Sequence, residues 1–98
     1  MRKIINGFLY DTDTADLITV STVSDEYGSW YVSESLYKKK KGEYFLYRSM
    51  YGDGDAEDIY YWVLSHQFSP LTEKQAKDWM EKNADTDTYM KEFSLPEE

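Results

Sequence analysis

The chain has 98 residues, 11 of them Lys or Arg against 19 Asp or Glu, for a formal net charge of -8; this is the size of one small acidic domain and excludes two-domain and barrel-sized folds. Cysteine is absent, which removes disulfide frameworks, thiolate nucleophiles and Cys-containing zinc sites together. Apolar residues make up 41% and aromatics 17%, with ten Tyr and three Trp, and side chains of that bulk supply a core that polar disordered chains lack.

From the N-terminus, Ile4 and Ile5 are followed at once by Asn6-Gly7, so no signal peptide is expected, and with no apolar run near membrane-spanning length the chain is expected to be cytoplasmic. Ile4 to Val23 predicts two strands joined around Asp11-Thr12-Asp13-Thr14-Ala15-Asp16, with Ile18, Val20 and Thr22 on one face. Ser29 to Tyr51 predicts a hairpin. Trp30, Val32 and Leu36 alternate with Tyr31, Ser33, Ser35 and Tyr37; Lys38 to Gly42 interrupts; then Tyr44, Leu46 and Met50 alternate with Phe45, Tyr47 and Tyr51. Gly42 provides the positive φ such a loop needs.

Gly52 to Asp58 is a loop by composition. Ile59 to Phe68 predicts a central strand, with Ile59, Tyr61 and Val63 on one side and Tyr60, Trp62 and Leu64 on the other. A helix over Glu57 to Leu64 is the competing reading, because Ile59, Trp62 and Val63 also fit helical spacing. Pro70 closes that strand, and Thr72-Glu73-Lys74-Gln75 is a capping-box pattern opening a helix with Ala76, Trp79 and Met80 inward and Lys74 paired with Asp78. Asp85 or Thr86 caps a second helix, with Tyr89, Met90 and Phe93 on one face, which ends before Pro96. The expected fold is a single α+β domain over residues 1–98: an antiparallel sheet of about four to five strands within 4–68, then two short C-terminal helices within 72–95 packed on one face.

Candidate chemistry is sparse. His66 is expected on a strand, with no second His and no Cys to build a nucleophilic or metal site around it. Ser65 beside it cannot form a triad by adjacency, since consecutive strand residues point to opposite faces. Asp53, Asp55, Glu57 and Asp58 are spaced like the start of a calcium loop, but Asp58 stands where the loop needs Gly and Leu64 where it needs a bidentate Glu. No catalytic residue, metal or cofactor is expected. The basic run Lys38, Lys39, Lys40 and Lys41 reads as a solvated turn and a secondary candidate contact. At -8 the chain repels nucleic acid at long range, so direct nucleic-acid binding is not expected.

The negative charge is segregated. Residues 1–49 hold seven acids and seven bases, whereas residues 50–98 hold twelve acids against four lysines. Carboxylates on a rigid face can imitate the charge of a duplex and occupy a protein groove built for nucleic acid, although acidity also serves solubility.

Three blocks, Lys3-Ile4-Ile5-Asn6-Gly7-Phe8-Leu9-Tyr10-Asp11-Thr12-Asp13-Thr14-Ala15, Ser35-Leu36-Tyr37-Lys38 with Lys41-Gly42-Glu43-Tyr44-Phe45-Leu46-Tyr47, and Pro70-Leu71-Thr72-Glu73 with Ala76 and Trp79, resemble short proteins of Gram-positive bacteria and their phages, plasmids and conjugative elements. Some proteins similar to that group look like inhibitors of CRISPR-Cas nucleases. The chain departs from the group at Asp53 to Phe68, which is acidic and then aromatic where relatives carry a Gly-rich segment. The resemblance implies a non-catalytic anti-defence inhibitor that binds a basic groove of a Cas9-type nuclease and blocks guide RNA or target DNA. The expected contacts are Asp53, Asp55, Glu57 and Asp58 as phosphate surrogates, with Tyr60 and Trp62 as aromatic anchors. The alternative is a small interaction or regulatory module acting through an aromatic sheet face as a homodimer.

Overall fold

The computed structural model describes residues 1–52 and 57–93 of the chain. Asn6 and Gly7 both hold positive φ, 52° and 81°, the two-residue turn that suits the twist of a strand pair. Arg2–Ile5 (β1) therefore pairs antiparallel with Phe8–Asp11 (β2) as a separate two-stranded sheet. The region expected to hold two strands thus holds three, because the Asn-Gly turn reverses the chain within what had read as the first strand.

A four-stranded antiparallel sheet follows, in the order Asp16–Ser24 (β3), Trp30–Lys38 (β4), Tyr44–Gly52 (β5) and Phe68–Leu71 (β6). The predicted hairpin is β4 and β5, in unbroken register from Trp30 opposite Gly52 to Lys38 opposite Tyr44. Its turn closes with Gly42 donating to the Lys39 carbonyl at 2.8 Å. In β3 the register shifts between Leu17 and Thr19, and this irregularity corrects the expected face. Ile18 packs against the Leu36 cluster, while Val20 and Thr22 stand opposite Ser35 and Ser33 on the other side. One extra residue turns the remainder of a strand over.

Ile59 to Phe68 is not a central strand. Glu57–Ser65 forms a helix (α1), and only Phe68 onward joins the sheet. Ile59 and Val63 lie one turn apart on the inward side, with Val63 only 3% exposed, and Glu57 and Asp58 sit in the first turn where the helix dipole favours negative charge. Pro70 does not close a strand that precedes it but lies within β6, opposite Phe45, on a sheet edge where its missing N–H is harmless.

Thr72 caps the next helix, Glu73–Asn83 (α2), with both capping-box bonds formed: Gln75 N–H donates to the Thr72 hydroxyl at 3.1 Å and Thr72 N–H to the Gln75 side chain at 2.9 Å. Asp85 caps the last helix, Thr86–Glu92 (α3), by accepting from Thr88 N–H at 2.7 Å. Tyr89 and Phe93 face inward as expected, but Met90 is exposed.

On one face of the sheet Leu36, Tyr44 and Leu46 pack with Ala76, Met80 and Phe93, flanked by Trp79, Tyr89 and Leu71. On the other, Tyr10 of the β1–β2 hairpin meets Phe45 and Phe68, with the Tyr10 and Phe45 rings edge to face at 5.4 Å. The result is a slab of 47 × 35 × 19 Å, and no described helix is long and apolar enough to cross a membrane.

Candidate partner-binding surface

The surface is organised from an ion pair that sequence reasoning passed over. Glu34 and Arg48 stand directly opposite on β4 and β5, and Arg48 Nε donates to Glu34 Oε2 at 2.7 Å. The other arm of the guanidinium donates to the His66 carbonyl at 2.8 Å and the Ser69 hydroxyl at 2.6 Å, and Arg48 Cζ lies over the Trp62 ring, 5.1 Å from its centroid. Trp79 Nε1–H donates to the remaining Glu34 oxygen at 3.4 Å. One residue thus ties the C-terminal end of α1, β6 and the sheet together, and its partner carboxylate reaches α2. Only a planar fork with several donors can do so.

Held this way, α1 turns Glu57, Tyr60, Tyr61 and Leu64 to solvent along one stripe, with Tyr61 64% exposed. Tyr60 and Trp62 were expected on one side of a strand. On the helix they diverge: Tyr60 faces outward, while Trp62 lies at the border, half exposed and stacked on His66 at 4.5 Å. Glu57 and Asp58 are exposed in the first turn, contrary to the loop expected for them. Asp53 and Asp55 lie outside the described residues. Tyr61 and Leu64 were not picked out, although helical spacing from Glu57 identifies both. Beneath α1, a cleft of about 230 Å³ is lined by Val23, Trp30, Val32, Glu34, Ile59 and Trp62.

His66 follows α1 instead of lying on a strand, and Ser65 Oγ is 3.0 Å from its Nδ1, so the two side chains do meet. The same Nδ1 is 2.9 Å from the Trp62 carbonyl, and the serine hydroxyl is within 3.1 Å of the Tyr61 and Trp62 carbonyls. A serine hydroxyl directed at the Tyr61 and Trp62 carbonyls caps the C-terminal end of α1. Among the described residues no group of three or more His, Asp or Glu is placed to hold a metal.

The basic run is largely neutralised within the fold. Lys38 pairs with Glu92 at 2.7 Å, Lys39 with Glu43 at 3.2 Å and Lys40 with Asp16 at 2.7 Å. Lys39 also sits 4.4 Å from the Tyr10 ring. Lys41 has no ion pair among the described residues. Glu92 also accepts from the Tyr44 hydroxyl; burial first, and then this bond to a carboxylate, push the Tyr44 phenol up to about 12. The bond to Glu92 raises Lys38 as well.

On the opposite face of the sheet, β3, β4 and β5 present no charged side chain of their own. Leu17, Val20, Thr22 and Ser24 of β3 align with Tyr37, Ser35, Ser33 and Tyr31 of β4, and these with Phe45, Tyr47, Ser49 and Tyr51 of β5. The exposed Tyr31 and Tyr51 rings stack at 5.1 Å. No family model, curated protein or solved structure matches this chain.

Proposed function

We propose that the protein is a non-catalytic interaction protein that docks on a basic groove of a nucleic-acid-processing partner, and that it acts as an anti-defence inhibitor of a Cas9-type nuclease by obstructing guide RNA or target DNA. The observation that carries this reading is α1, where Glu57 and Asp58 stand beside the exposed rings of Tyr60, Tyr61 and Trp62 while three of the four clustered lysines are held by internal carboxylates. Carboxylates supply steering and compete with phosphate, and the aromatic rings supply short-range contact area. The resemblance to short proteins of mobile elements directs the choice of partner.

The experiment is target DNA cleavage by a Gram-positive Cas9-type nuclease, with the protein added before guide RNA, after guide RNA or after target DNA. Inhibition confined to the earliest addition assigns the guide groove, and inhibition after loading assigns target recognition. Absence of inhibition in every order rejects this partner. In a responding system, Glu57→Lys with Asp58→Lys weakens binding by roughly tenfold or more and flattens its salt dependence; unchanged affinity removes α1 from the mechanism.

A further inference from the structure

We propose that the outer edge of β3 pairs with the same edge of a second copy, joining two four-stranded sheets into one antiparallel eight-stranded sheet. β3 has nine residues and pairs only with β4, so its outer row of main-chain donors and acceptors has no strand partner among the described residues. Long open edges are normally blunted by charge, a bulge, Pro or brevity. The opposite edge, β6, has both of the last two devices, being four residues long and containing Pro70. β3 has neither. From Leu17 to Ser24 it carries no charged residue and no Pro, it exposes Leu17, Val20 and Val23, and Asp16 at its start is already neutralised by Lys40.

Charge decides the occupant. A basic partner drawn to the acidic half of the molecule finds no carboxylate along Leu17 to Ser24. A second β3 brings the matching uncharged pattern, with Thr, Ser and Val available for cross-strand pairs. Two molecules at -8 approach with least repulsion through a charge-free strip, and this edge is continuous with the uncharged strand residues Thr22, Ser33, Ser49 and their neighbours. A two-fold axis perpendicular to the sheet makes the strands antiparallel and keeps each face on its own side. The two Tyr- and Ser-rich faces then lie on one side of the joined sheet, each with its β1–β2 hairpin packed on Phe45, and both helical layers lie on the other side.

The test is sedimentation of the full chain across concentration and salt. The expected result is a monomer–dimer equilibrium that tightens as salt rises, because screening reduces the repulsion between the acidic copies. Val20→Lys with Thr22→Lys places like charges across the axis and weakens the dimer by about tenfold or more, with thermal unfolding of the monomer retained. Ser49→Lys, on the same face but two strands from the edge, leaves the dimer intact. A monomer at every concentration and salt overturns the proposal, as does a dimer that survives the two β3 lysines or dissociates with Ser49→Lys, which indicates face-to-face stacking. Concentration-dependent hydrogen-exchange protection confined to β3 amides supports it, and unchanged exchange there overturns it. The outcome is independent of nuclease inhibition.

Discussion

Gly52 closes the register of β4 and β5 opposite Trp30, and its φ of 116° is one that side chains with a Cβ rarely adopt. A Cβ built there lies 2.3 Å from the Ser29 carbonyl oxygen and 2.7 Å from Trp30 Cα, both rigid main chain. Gly52→Ala therefore combines strain with a steric clash and is expected to lower unfolding free energy by about 2–3 kcal/mol, read from denaturant midpoints. Arg48 is the second residue on which much depends, since its guanidinium and Glu34 are mostly buried. Removing one partner of such a pair strands the other, so Arg48→Ala is expected to cost about 3 kcal/mol. Arg48→Lys restores charge but not the fork to Glu34, His66 and Ser69, and so recovers only part of the loss. If it restored full stability, charge alone would be holding α1.

Among the elements, α2 shows what local chemistry can announce. Thr72 to Gln75 forms both capping bonds that its sequence implies, and Thr72→Ala is expected to cost about 1 kcal/mol, measurable as a shifted denaturant midpoint with unchanged slope. The β4–β5 hairpin was legible for the same reason, as period-two alternation and a glycine turn leave little choice. β3 was misread at Ile18 because a bulge is settled by pairing with β4, not by the strand's own residues. α1 was misread because Ile59 to Leu64 is apolar on every side, and in so short a run the helical and strand periods both fit. What decides is tertiary: Arg48 holds the helix end and Val63 fills the space above the sheet. The candidate contacts inherited that error. Glu57 and Asp58 were found from charge alone, whereas the divergence of Tyr60 from Trp62 and the exposure of Tyr61 and Leu64 follow only once the segment is helical.

Across the whole molecule, charge is distributed unevenly about the sheet. The helical layer contains Glu73, Asp78, Glu81, Asp85, Asp87 and Glu92, while on the opposite face β3, β4 and β5 present no charged side chain of their own, and charge there comes from the β1–β2 hairpin that packs on Phe45. The neutrality of the strand residues depends on tyrosines. Burial raises Tyr37 and Tyr47 on that face, with the charge of Asp13 adding to the rise at Tyr37, and burial with the Glu92 bond carries Tyr44 up to about 12. A phenol whose folded pKa lies above its unfolded value near 10 adds stability that is fully present below about pH 10 and is lost as pH rises through the folded value. The melting temperature is therefore expected to stay level from about pH 7 to 9 and to fall steeply from about pH 10 to 12, as unfolding lets these phenols ionise. Each tyrosinate also adds to a molecule already at -8, so the fall should be shallower at high salt. Tyr44→Phe removes one of the titrating groups together with the hydrogen bond to Glu92. Its melting temperature is expected to start lower at pH 8 and to decline less above pH 10. A decline as steep as the parent's would exclude Tyr44 as a source of the alkaline transition.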